Sequence, residues 1–130
     1  MANTDVQRDH ETRVGDLPED VMAAVEAARD KKAVRITALD LRGGDAFTDV
    51  FLICTAANVR QAQAIADAIE THLRERGHRV AHIEGYDRAE WVLLDYFDFI
   101  VHIFTADTRE FYALERLWGK APRLELAGPA

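Results

Sequence analysis

Hydrophobic spacing changes several times along the chain, and each change predicts an element. Val21, Ala24, Val25 and Ala28 recur at i, i+3, i+4 and i+7, the single stripe of an amphipathic helix. That helix is expected to start in GDLPED, with Asp16 as N-cap, Pro18 in the first turn, and Glu19 and Asp20 facing the positive end of the helix dipole. AVRITALDL then alternates as a strand does and stops at the turn signal RGGD. TDVFLICTA is almost continuously apolar, which predicts a central strand covered on both faces. A second helix carries the stripe Ala62, Ile65, Ala66, Ile69 and Leu73, with Asn58 as cap, Gln61 at the third position of a capping box and Gly77 at its close. HRVAHIE predicts a short third strand, and WVLLD and FIVHIF two more that form a hairpin through YFDF. In the last helix, TREFYALERLW, Phe111, Leu114, Leu117 and Trp118 are expected on one side, after which GKAPRLELAGPA ends the fold.

The order helix, strand, strand, helix, strand, strand, strand, helix predicts an α/β (α+β) architecture, a mixed sheet of about five strands with helices packed on it. At 130 residues the chain fits one domain, able to bury roughly two-thirds of its unfolded surface. Residues 1–15, charged and poor in large apolar groups, are expected to be a mobile tail, residues 16–119 the domain, and 120–130 a flexible C-terminal tail.

Charge and composition narrow the partners. No apolar run approaches the roughly 20 residues of a membrane span, and the N-terminal stretch lacks an apolar h-region, so no membrane partner and a cytoplasmic location are expected. The single cysteine, Cys54, cannot pair within the chain and suits a buried position in a reducing compartment. A net charge of −7 disfavours attraction to phosphates, so no direct sequence-specific binding of nucleic acid is expected.

The stretch WVLLDYFDFIVHIF, Trp91–Phe104, sets Asp95, Asp98 and His102 among aliphatic and aromatic residues. A Mg²⁺ site on a strand needs carboxylates two residues apart, because side chains alternate between faces. Asp95 and Asp98 are three apart, and Asp45 and Asp49 have no further carboxylate two residues beyond. His78 and His82 would stand over about 13 Å apart on an extended segment, and His102 shares a strand face with Ile100 and Phe104 as a core histidine would. There is no nucleophile elbow, Walker loop, GxGxxG or CxxC pair. No catalytic residue, cofactor or metal is therefore expected. What remains is charge: between Glu84 and Asp98 lie five acids and one base, beside Tyr86, Trp91 and Tyr96. Aromatic anchors ringed by carboxylates suit a docking surface for a basic protein. A buried hairpin whose acids solvate the loop ends fits equally well, and composition leaves both open.

DVFLICTAANVRQAQAIADAI, EGYDRAEWVLLDYFDFIVHIF and REFYALERLW, in this order and at these spacings, resemble the ribosomal silencing factor family (RsfS, Iojap or YbeB-like), and ITALDLR fits as well. The likeness runs from about Ala28 to Trp118. It implies a nucleotidyltransferase-like fold without that fold's catalytic carboxylates. It also implies a noncatalytic translation repressor that binds the large ribosomal subunit at its fourteenth protein and blocks joining of the small subunit when nutrients are scarce. Carried onto this chain, the resemblance implies partner contacts by Glu84, Trp91, Asp95, Tyr96, Asp98 and His102, with Trp91 as anchor and the carboxylates facing Lys or Arg. Arg60, Gln61, Arg109, Tyr112 and Glu115 also match, either as contacts or as pins between helices. Phe97 stands where a glycine is usual, which predicts a wider hairpin that avoids positive φ. Arg35 stands where the family often has an acid. Two other readings are a nucleotidyltransferase-fold enzyme and a homodimeric adaptor joined through the strand that ends at Phe104, the dimer being compatible with silencing if it forms off the ribosome.

Overall fold

The computed structural model describes residues 16–44 and 46–126; the expected N-terminal tail, Asp45 and the last four residues lie outside the described residues. The elements run α1 (Glu19–Asp30), β1 (Val34–Asp40), β2 (Val50–Ala56), α2 (Val59–Glu75), β3 (His82–Glu84), β4 (Trp91–Asp95), β5 (Phe99–Thr105), α3 (Ala106–Tyr112), α4 (Leu114–Leu117) and β6 (Arg123–Leu126). One mixed sheet takes the order β3, β4, β5, β2, β1, β6. Neighbours are antiparallel except β2 and β5, which run parallel with Val50 opposite Phe99.

The sheet has six strands where five are expected, and the sixth lies in the stretch assigned to the tail. Leu124 and Leu126 sit opposite Ala38 and Ile36 of β1, and Leu126 is buried. Gly119 and Pro122 precede a short strand rather than end the fold, and four alternating residues are too few to announce themselves by period. β5 lies between β4 and β2, so the apolar run to Phe104 is no exposed edge. The edges are β3 and β6, of three and four residues, short enough to be poor templates for another chain's strand.

All seven residues of β2 are buried, as its continuous apolar run predicts. Burial pushes the Cys54 thiol up to about 12, leaving it a small inert core group. On one face of the sheet the stripes of α1 and α2 pack against Leu52, Val92, Leu94, Val101 and Ile103. On the other face Leu39, Phe51, Ile53, Ile100 and Phe104 are covered by Leu114 and by half-buried Trp118. Each large aliphatic side chain so buried stabilises the fold by about 1.5–3 kcal/mol.

Helix ends show where local chemistry decides. Asn58 Oδ1 accepts the Gln61 backbone N–H at 2.8 Å, and Gln61 Oε1 accepts the Ala57 N–H at 2.5 Å. The Gln61 amide also donates to the carbonyls of Lys31 (2.9 Å) and Lys32 (3.3 Å), so the cap of α2 ties down the end of α1. Gly77 closes α2 at φ +84°, its N–H on the Arg74 carbonyl and that of His78 on the Leu73 carbonyl. α1 starts otherwise than expected. Pro18 itself is the N-cap, without a side-chain bond, and Asp16 lies two residues upstream because Leu17 turns into the core between them.

The last helix is two. Ala113 adopts φ +45° and breaks the segment into α3 and α4, so the expected stripe does not form. Leu114 is buried, whereas Phe111 and Leu117 are exposed. Arg109, four residues before the break, turns from α3 into the sheet. Its guanidinium donates to Thr55 Oγ1 and Thr37 Oγ1 (both 3.0 Å), to the Arg35 carbonyl, and through Nε and Nη2 to Glu115 Oε2 (3.1 and 2.9 Å). Arg109 and Glu115 thus pin α3 and α4 to β1 and β2.

A candidate docking face

Alternation along β4 sends Val92 and Leu94 toward α1 and α2, and Trp91, Leu93 and Asp95 to the opposite face. The antiparallel register places Glu84 of β3 beside Leu93 and His82 beside Asp95. On the other side of β4, Phe104, His102 and Ile100 stand opposite Trp91, Leu93 and Asp95. Directly opposed residues point the same way, so one surface carries the rows Trp91–Phe104, Glu84–Leu93–His102 and His82–Asp95–Ile100. α3 packs over β5 and β2 and leaves the β3–β4 part of this surface partly open. There Trp91, Leu93 and Asp95 are half-buried and Glu84 is exposed.

Trp91 is held firmly. Its indole N–H donates to His102 Nδ1 at 3.0 Å, and its ring packs on Phe104 and Tyr112 with centroids 4.9 and 4.7 Å away. An accepting Nδ1 puts the proton of the neutral imidazole on Nε2, which has no partner among the described residues. Burial alone lowers the His102 pKa from 6.5 to about 4. In the unfolded chain the imidazole charges below about 6.5, while the folded protein resists protonation until about 4. Stability should therefore be fully present above pH 6.5 and fall as pH drops through that window, by roughly 3 kcal/mol from this group. A urea titration series from pH 7 to 4 checks it: His102→Gln, whose amide oxygen still accepts the indole N–H, should flatten the slope, and an equal slope in both proteins contradicts the assignment.

Glu84, Trp91 and Asp95 are thus brought together, and two of the expected contact residues are not available. Tyr96 points to the helix side, 2% exposed and stacked on Phe99 at 4.9 Å, with burial raising its phenol well above the usual range. The alternation that exposes residues 91, 93 and 95 buries 96. His102 faces the right way but is 4% exposed beneath Trp91, so it supports the indole and offers no surface of its own. Asp98 lies exposed at the hairpin tip, beyond Asp95. Asp95 Oδ1 accepts the Phe97 N–H at 2.8 Å, and Phe97 takes φ +68°. The wider hairpin expected for a residue other than glycine does not form: only Tyr96–Asp98 separate the two strands, and this phenylalanine adopts the left-handed conformation itself.

The acid-rich segment is also divided. Tyr86 turns back onto α2, its hydroxyl 2.9 Å from Asp67 Oδ1, and takes no part in the face. Gly85, at φ +76°, lies so close to β4 that a Cβ there would stand 2.1 Å from the Trp91 carbonyl oxygen, which only glycine permits. Leu93 and Tyr112 complete the apolar part of the face. Counting by two from Trp91 points to Leu93, but nothing local shows that Tyr112, twenty-one residues further on in α3, reaches Trp91.

Among the described residues no group of three His, Cys, Asp or Glu side chains is arranged to hold a metal ion, and no helix is long and apolar enough to cross a membrane.

A family model described as "Ribosomal silencing factor during starvation" matches residues 15–130. The chain belongs to the ribosomal silencing factor family. A ribosomal silencing factor of Halalkalibacterium halodurans is 45% identical over 105 residues, spanning 81% of this chain and 90% of that one. One from Bacillus subtilis is 46% identical over 103 residues, spanning 79% and 87%. A crystal structure from Chromobacterium violaceum superposes with a TM-score of 0.76 at 31% identity, covering 86% of this chain and 93% of the other. The family match includes β6, consistent with that strand's place in the sheet.

Proposed function

We propose that this chain represses translation by docking on the large ribosomal subunit, at the basic surface of its fourteenth protein, and excluding the small subunit. One observation supports the reading above others: the open β3–β4 surface presents a half-buried indole, fixed between Phe104 and Tyr112, with the carboxylates of Glu84 and Asp95 on the same face. A rigid ring loses little entropy on binding and buries much area, and the carboxylates steer the approach of a cationic surface and select it. Glu84, Trp91 and Asp95 are the contacts, Asp98 extends them at the tip, and His102 and Tyr96 hold the framework beneath. The relatives carry the name of ribosomal silencing factor, which fits a binding role that makes and breaks no bond.

Repression then follows from competition. Whatever binds the free large subunit and not the joined ribosome shifts the joining equilibrium by mass action. Purified protein incubated with large subunits before small ones are added should shrink the joined peak in a sucrose gradient, progressively with protein concentration. A joined peak of constant size across the titration rejects the reading.

A further inference from the structure

Phe97 is placed at a cost and has no packing to offset it. A residue other than glycine at φ +68° suffers steric strain and persists only where its surroundings impose it, and burial of this ring is no part of that, since it is 73% exposed. The other such residues differ: Lys32 and Ala113 close helices, Arg35 sits where the β1–β2 register shifts, and Ala89 is buried. The backbone at Phe97 is clamped from two sides. Asp95 Oδ1 accepts its N–H at 2.8 Å, and the buried Thr48 hydroxyl donates to its carbonyl at 2.7 Å, while the Tyr96 N–H meets the Phe99 carbonyl at 3.0 Å across the turn. The tip is therefore preorganised to hold a phenyl ring out in solvent. Asp95 and Asp98 flank it in the turn, the Asp49 N–H bonds the Asp98 carbonyl across from it, and neither residues 43–49 nor 95–98 include a Lys or Arg; Arg42, next in sequence, has its guanidinium on Asp40.

We infer that the β4–β5 tip is a second anchor of the docking surface, in which the Phe97 ring enters an apolar recess on a protein partner rimmed by Lys or Arg. The carboxylates around it disfavour an anionic lipid surface and favour a cationic protein one. This rests on the docking function proposed above and adds to it a contact in the turn beyond Asp95, the end of β4 that lies about 13 Å along the strand from Trp91. It also gives the strain a reason: the ring contributes to binding what it takes from stability.

The test compares Phe97→Gly and Phe97→Leu with the unaltered chain, using purified large ribosomal subunits as the probe in co-sedimentation titrations and urea unfolding of each protein alone. Phe97→Gly relieves the strain, so its unfolding midpoint should equal or exceed that of the unaltered chain, while its affinity for large subunits drops ten- to a hundredfold. Phe97→Leu keeps an apolar bulk at the tip and should lose less than tenfold. A glycine variant that binds as tightly as the unaltered chain overturns the inference and leaves the docking function standing. One that unfolds more readily also overturns it, because the ring then serves the fold. If the unaltered chain itself fails to sediment with large subunits, the docking function falls and this inference with it.

Discussion

Replacing Arg109 with alanine is expected to lower the unfolding free energy by roughly 3–5 kcal/mol, the usual result of removing one partner of a buried ion pair. Arg109 is 2% exposed, and the Glu115 side chain that meets it is 11% exposed. Burial alone would raise the Glu115 carboxyl, but its own backbone N–H and the guanidinium hold it below the usual range. Without the arginine that carboxylate loses its counter-charge in a poorly solvated site, and the hydroxyls of Thr37 and Thr55 lose a donor. The chain is also tied at its end here, since the Thr37 hydroxyl donates a hydrogen bond to Glu125 Oε1 of β6 at 2.8 Å. Lysine should not rescue the loss, because one ammonium cannot reach two strands and a carboxylate at once. Urea midpoints of the wild type, Arg109→Ala and Arg109→Lys decide it, and a shift worth less than about 1 kcal/mol would show the network to be dispensable.

Trp91→Ala should weaken binding to large subunits by about two orders of magnitude, in the range of a central aromatic anchor. The expected loss has two sources. The ring's own contact area goes, and Tyr112 loses the surface it leans on. Adding Glu84→Lys should abolish binding, since it reverses an exposed charge whose side-chain partner among the described residues is His82. Glu84→Lys by itself should mainly slow association and reduce its dependence on salt. The fold should survive these changes, because Val92 and Leu94 on the opposite side of β4 remain in the core. Far-ultraviolet circular dichroism and thermal unfolding establish that, and co-sedimentation at full strength in the folded double variant would remove Trp91 from the interface.

Much of this was legible in the sequence where one physical signal acts alone. The stripe of α2 and its Asn58 and Gln61 cap are local, and β2 buries every residue its apolar run contains. The misses come from interactions between distant residues. Nothing in TREFYALERLW announces a break at Ala113, nor that Arg109 beside it reaches β1 and β2, more than fifty residues away in sequence. β6 is visible only once β1 offers an edge to pair with. At the site, alternation along WVLLDYF separates half-buried Asp95 from buried Tyr96, and that period applied to every aromatic places Tyr96 in the core. Phe97 shows the opposite limit. Residue type argued against positive φ, but two hydrogen bonds from Asp95 and Thr48 impose it.

The parallel pairing of β2 with β5 has a kinetic consequence. Its seven rungs join residues 50–56 to residues 99–105, with α2, β3 and β4 in between. Loop closure over that span must precede any of the reward for pairing, so the middle of the sheet cannot zip up from a local hairpin. During synthesis, β1 and β2 emerge together but their central neighbour is still unmade. The most apolar strand of the chain thus waits uncovered on one side until nearly the whole domain has left the exit tunnel.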